Sequence, residues 1–220
     1  MQTLLPDVGT FLPLLFQGVK FTLLVTFGSL VLSTVLGLVW ALMRVCGIVW
    51  LAVIAKLIVN TLRGIPILVQ LFYLYFVLPE FGVALTALQA AIIGLGIAYS
   101  VYQSENFRAG IEAIDHGQVE AALSIGMGWF LMMRRVILPQ AIKVILPPYG
   151  NTMIMLLKDS SQASTITVAE LTLQGQVLAA STFKNMTVYT LVALLYLSMS
   201  LPLIACVGWL ERRFGTRGRR

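Results

Sequence analysis

The sequence predicts an all-α integral membrane protein with about five transmembrane helices and a short helix held in a cytoplasmic loop. Three observations predict it. Of 220 residues, 59% are hydrophobic and 11% charged, where soluble domains carry roughly 25% charged residues. Too little polar surface remains to wrap a water-soluble globule, which excludes a soluble enzyme. Several uncharged runs approach the roughly 20 apolar residues that span a bilayer. The basic residues, 15 Lys and Arg against 9 Asp and Glu, gather on one side of those runs.

The first crossing is expected at about 15–43, since no charge occurs from Phe21 to Met43. The opening Met1-Gln2-Thr3-Leu4-Leu5-Pro6-Asp7 has no basic segment and no small-residue cleavage site, so this crossing is expected to stay as an anchor. A second, at about 57–79, lies between Lys56 and Glu80 and is interrupted by Arg63, Gly64 and Pro66. Gly64-Ile65-Pro66 should kink the helix and free carbonyls, as in broken helices that line cavities. The third occupies about 84–107 after a loop near 81–86. The fourth, at about 138–159, contains Lys143, Pro147 and Pro148, and those prolines interrupt helical hydrogen bonding. The last, at about 185–211, is uncharged up to Leu210.

With the amino terminus outside, the inner side holds Arg44, Lys56, Arg108, Arg134, Arg135, Lys143, Arg212, Arg213, Arg217, Arg219 and Arg220. Lys20, Lys158 and Lys184 fall outside, and Arg63 sits within the second crossing. Basic loops face the cytoplasm, so the carboxyl terminus is placed inside. Residues 108–137 mix Glu112, Asp115, Glu120, Arg134 and Arg135 with apolar side chains, a pattern for amphipathic helices beside the membrane. Residues 159–184, rich in Ser, Thr and Gln, should form an outer loop with partial helix or dip back into the membrane.

Several chemistries find no support. Cys46 and Cys206 sit in apolar surroundings and read as small hydrophobes. His116 is the single histidine, so no metal site assembles around it. No glycine precedes a Lys-Ser or Lys-Thr pair, so the chain lacks the usual phosphate cradle. The arginines from Arg212 to Arg220 follow a crossing and read as a topology anchor touching anionic lipid, with no nucleic-acid partner.

Polar residues inside a bilayer cost a few kcal/mol on insertion scales, so each asks for a reason. Arg63 either snorkels to the surface or meets a carboxylate or carbonyl at the break. Tyr99, Gln103 and Asn106 share one helical face and Glu105 lies on an adjacent one; they serve inter-helix bonding or line a path for a zwitterionic solute. At the end of the fourth crossing Lys158, Asp159, Ser160 and Ser161 form either a solvated helix end or a receptor for ammonium and carboxylate groups. With Gln70 they make up the candidate substrate pathway.

The stretch Gly117-Gln118-Val119-Glu120-Ala121-Ala122-Leu123-Ser124-Ile125-Gly126, followed by Val136-Ile137-Leu138-Pro139, suits a short helix seated in a partner's groove or resting on lipid. Glu120, Ala121, Ala122, Gly126, Leu138 and Pro139 resemble the Glu-Ala-Ala loop of ABC importer permease subunits, with Val136 where Ile is usual. Thr61-Leu62-Arg63-Gly64-Ile65-Pro66-Ile67-Leu68-Val69-Gln70 is similar to the Arg-Gly-Thr-Pro element of the polar amino acid uptake group, with Ile65 for Thr. Leu15 to Leu23, Ser104 to Ile111 and Leu157 to Ser161 are also group-like, and Gln162 stands where Leu is usual.

The resemblance implies a type I importer permease carrying a polar amino acid such as histidine, arginine, glutamine or glutamate across a bacterial inner membrane. Its implied partners are an ABC ATPase dimer holding the ATP and magnesium, a second permease subunit, and a periplasmic amino-acid-binding protein. No cofactor is expected on this chain. A permease for another small solute is the first rival. A membrane-embedded enzyme lacks a visible nucleophile and base, and a scaffold leaves the polar cluster without purpose.

Overall fold

The computed structural model describes residues 5–214. Met1 to Leu4, on which the leader reading partly rests, and Arg217, Arg219 and Arg220 lie outside the described residues. The fold is all-α: α1 (Leu5–Val45), α2 (Val49–Gly64), α3 (Ile67–Phe72), α4 (Ala87–Glu112), α5 (His116–Ser124), α6 (Trp129–Met132), α7 (Leu138–Asp159), α8 (Leu171–Thr182) and α9 (Asn185–Phe214). A π-turn (Tyr73–Val77) and a 3-10 turn (Leu78–Phe81) prolong α3, a π-turn (Met133–Ile137) joins α6 to α7, and a 3-10 turn (Ser160–Ile166) follows α7.

The helices α1 and α9 are long and apolar enough to cross a membrane alone, and α2 with the α3 unit makes a third such span bent by 98°. The bend falls at Ile65 and Pro66, where Pro66 has no N–H to continue α2. Helix α2 starts at Val49, so Lys56 lies within it and not in a preceding loop. Pro147 and Pro148 lie inside α7 without ending it. Thr152 Oγ1 donates to Pro148 O at 3.0 Å and ties that turn together.

Helices α1 and α4 run side by side in the same direction: Ser29 bonds Ile92 O at 3.1 Å, Gly37 lies against Gln103, and Arg44 meets Glu105. Gly18, Thr22, Thr26, Ser29, Ser33, Gly37 and Ala41 form a buried stripe on α1 at intervals of three and four residues. Small residues let helix backbones approach, which matters where lipid is as apolar as leucine. Helix α7 runs back along α4, with Tyr99 at Asp159 and Asn106 at Thr152.

The segment 160–182 is neither open loop nor surface strand. Leu171, Gly175 and Ala179 of α8 are buried, and α8 packs on the first half of α1 and on Val188, Leu191 and Val192 of α9. Glu170 caps it: its carboxylate accepts from Thr172 N at 2.9 Å and Leu173 N at 2.8 Å. It also accepts from Tyr196 Oη at 2.8 Å, and Thr22 Oγ1 accepts from Leu171 N at 3.1 Å. A fully buried carboxylate thus joins α1, α8 and α9.

A Cβ at Gly37 would lie 2.6 Å from Gln103 Cβ and 2.9 Å from Ser100 O. Gly37→Val should therefore cost about 1–3 kcal/mol by overpacking and lower the thermal midpoint of the detergent-solubilised protein. Gly208→Ala, which meets nothing within 4 Å, should leave that midpoint no lower.

Candidate functional site

Helix α5 is built from local signals at both ends. Asp115 Oδ1 accepts from Gly117 N at 2.7 Å and starts it. Gly126 has φ +79°, a conformation that costs a side chain about 1 kcal/mol. Gly126 N donates to Leu123 O at 2.9 Å and Met127 N to Ala122 O at 3.1 Å, the paired bonds that close a helix on a left-handed residue.

Ala122 is buried and joins Ala41 of α1, Phe107 of α4, Ala141 and Ile145 of α7, and Met132, Met133 and Ile137. Glu120, Ala121 and Gly126 face outward, as do Leu123 (55% exposed), Ile125 (73%) and Phe130 (72%). One face of α5 thus belongs to the core shared by α1, α4 and α7, and the other presents an acid among apolar side chains. Such a patch marks an interaction surface. Leu138 is half-buried and Pro139 exposed where α7 begins.

The candidate pathway residues fall into separate groups. Tyr99 is fully buried and its hydroxyl donates to Asp159 Oδ2 at 2.6 Å, so the tertiary fold joins the third and fourth predicted crossings. Ser161 is half-buried beside this pair and Lys158 exposed. Ser160 is buried, its hydroxyl donating to Leu157 O at 2.8 Å. Asn106 Nδ2 donates to Gln103 Oε1 at 3.1 Å and to Thr152 Oγ1 at 3.0 Å, a polar bridge from α4 to α7.

Glu105 stands apart from both groups. Its Oε1 receives Arg44 Nη1 at 2.6 Å and its Oε2 receives Arg108 Nη2 at 2.7 Å. Arg63 is exposed at the end of α2, and among the described residues no ion pair includes it. The break beside it is served by Gln70, whose Nε2 donates to Leu62 O and to Ile65 O, each at 2.9 Å. A primary amide carries two hydrogens, and here both meet carbonyls at the interrupted ladder. Gln70 also borders an apolar cavity of about 300 Å³ with Leu62, Ile65, Val69, Tyr73, Leu74 and Ile97.

Sequence reasoning missed Glu170, Tyr196 and Thr22. The available signal was the second acid of the Ser/Thr/Gln-rich stretch, standing immediately before the run Leu171 to Ala180. That is the position of a helix cap.

The family model for binding-protein-dependent transport system inner membrane components matches residues 33–216. The probable amino-acid ABC transporter permease protein YckA of Bacillus subtilis is 41% identical over 184 residues, covering 84% of this chain and 81% of that one. The glutamine transport system permease protein GlnP of Escherichia coli is 36% identical over 205 residues, covering 92% and 93%. Among solved structures, the crystal structure of an amino acid ABC transporter with histidines superposes with a TM-score of 0.87 at 38% identity, covering 94% of this chain and 97% of that one.

Removing the Gln70 amide leaves Ile65 O without that donor and Leu62 O with the longer 3.4 Å bond from Ile65 N alone, and an unmet carbonyl costs about 1–3 kcal/mol where water is excluded. Spin labels at Lys56 and Phe76, exposed on either side of the break, should give a narrow distance distribution in the parent and a broader one in Gln70→Leu.

Proposed function

Because this chain belongs to the family of binding-protein-dependent transport system inner membrane components, we propose that it carries a polar amino acid across the bacterial inner membrane along α3, α4 and α7, driven through α5. It is the permease subunit of an amino-acid ABC transporter and not an enzyme; ATP hydrolysis belongs to a separate subunit.

The reading is carried by α5. Its outward face offers Glu120, Leu123 and Ile125, and its inward Ala122 touches the core shared by α1, α4 and α7. A partner that grips the outer face and closes on ATP moves that core with it. The Gly126 closure keeps α5 short and stiff, and Leu138 and Pro139 launch α7 from the same place. An ATPase dimer, with the ATP and magnesium on it, is the partner whose motion this face would receive.

Basic residues orient the chain with the amino terminus outside and the carboxyl terminus inside, with lipid contacts at the arginine-rich end. One chain leaves Leu68, Val69, Phe72, Tyr73 and Phe76 exposed along the α3 unit. A second permease, a copy or a paralogue, supplies the other wall of the pathway. A periplasmic amino-acid-binding protein delivers the solute at the α8 end.

The solute's α-ammonium meets Asp159, held in place by Tyr99, with Ser161 and Lys158 beside it and Ser160 supporting the turn. Asn106 forms the wall below, with Gln103 buried behind it, and Arg63 and Gln70 form the wall at the break. A carboxylate is the natural counterpart of an ammonium group, and a neutral amide at that position forfeits the charge-assisted bond.

In proteoliposomes holding the whole transporter, Glu120→Ala and Gly126→Val should hydrolyse ATP without matching uptake, while still inserting in the membrane. Unchanged uptake in both would remove α5 from the coupling path. Asp159→Asn should raise the half-saturating amino acid concentration by about tenfold or more, the worth of one hydrogen bond to a charged group. An unshifted half-saturation would place the ammonium elsewhere.

A further inference from the structure

We propose that Arg44, Glu105 and Arg108 form an ionic strut that fixes α1 to α4, making Glu105 a positioning residue of the transport cycle and not a ligand of the solute. The proposal rests on reading α5 as the helix that receives the ATPase.

Both oxygens of Glu105 are taken. Oε1 receives Arg44 Nη1 at 2.6 Å, across the gap between helices. Oε2 receives Arg108 Nη2 at 2.7 Å and Nε at 3.1 Å from one turn along α4. Arg108 Nη1 continues to Glu112, so positive and negative groups alternate along the row. The side chains of Arg44, Glu105 and Arg108 are 16%, 31% and 29% exposed. A solute ammonium at Glu105 would have to displace a guanidinium already seated there, and would leave that guanidinium half-buried without its partner.

The place of the strut gives it a task. Arg44 follows Ala41 by three residues on α1, and Glu105 precedes Phe107 by two on α4. Ala41 and Phe107 both pack in the core that holds Ala122 of α5. Above the strut small residues of α1 receive larger ones of α4, Gly37 against Gln103 and Ser29 against Ile92. The bonds that cross this seam, Ser29 Oγ to Ile92 O and Trp40 Nε1 to Ser100 Oγ, join neutral groups and so hold the helices' register less strongly than a charged pair does. A directed charge pair across the seam fixes that register, because shifting either helix by a turn carries the guanidinium about 5 Å from its carboxylate. With the register fixed, a push at Ala122 reaches α1 and α4 as one body.

The test uses the assembled transporter in proteoliposomes with its binding protein. Uptake of a ¹⁴C-labelled mixture of the protein amino acids is counted against phosphate released. Glu105→Gln and Arg44→Glu should each spend about tenfold more ATP per amino acid carried, the scale on which coupling mutations act, with half-saturation unchanged. The exchange Arg44→Glu with Glu105→Arg restores opposite charges across the seam and should restore the ratio. Where a single variant fails to assemble with the ATPase, recovery of assembly in the exchange supports the strut and continued failure overturns it.

A raised half-saturation in Glu105→Gln at an unchanged ATP ratio would make Glu105 a solute ligand and overturn the strut. Parental coupling in both single variants would overturn it as well. Glu120→Ala run alongside separates the two readings. If it uncouples while the strut variants stay coupled, the strut falls and α5 stands. If it stays coupled while the strut variants uncouple, α5 falls as the receiving helix, and the strut stands as the lock on α1 and α4 but loses Ala122 as the point where the push enters.

Discussion

Close backbone approach between α1 and α4 is the constraint on which the remaining structure depends. In a bilayer an apolar side chain gains little by leaving lipid for a neighbouring helix, so association rests on packing and on hydrogen bonds. The stripe from Gly18 through Thr22, Thr26, Ser29, Ser33 and Gly37 to Ala41 meets that requirement. Its hydroxyls do not become orphans, because Thr26 donates to Thr22 O and Ser33 to Leu30 O. The stripe then serves two partners. Its first turns receive α8 at Leu171, and its later turns receive α4 at Ile92 and Gln103. With α1 fixed against both, α7 and α9 have a wall to pack on.

A second regularity concerns places where the helical ladder is interrupted. At Pro66 the Gln70 amide covers Leu62 O and Ile65 O, and at the start of α8 Glu170 covers two amides. Unmet backbone groups are expensive where water is scarce, so breaks persist only with such partners. The break at Ile65 and Pro66 turns the chain by 98°. It separates α2 from α3, whose Leu71 packs in the core with Ala90, Ala91 and Leu95 of α4.

Polar residues inside the bundle divide by whether their bonding capacity is spent. Glu105 and Gln70 hold other parts of the protein, and the amide of Asn106 bridges α4 to α7. Asp159 accepts from Tyr99 through one oxygen. The likeness to amino-acid ABC transporter permeases covers most of the chain. It does not by itself tell which polar residues hold the helices, and bonding geometry shows which of them are already engaged with a neighbour.

The sequence by itself determined the membrane class, the place of the break and the short helix closed at Gly126, because each is written in local chemistry. Absence of charge over a span's length, a proline without an N–H, and a glycine six residues after Glu120 all act within a few residues of themselves. The resemblance of Glu120, Ala121, Ala122 and Gly126 to the importer loop rests on the same local register. Only the tertiary structure decided that Tyr99 meets Asp159, that Glu105 meets Arg44, and that Glu170 meets Tyr196. Each pair lies on different helices, and Thr22 of the same junction lies 149 residues from its partner Leu171. One sequence pattern of polar residues on a helix face is compatible with lining a path or bonding a neighbour. What chooses between them is which helix stands opposite, and that is set by the close approach of α1, α4 and α7.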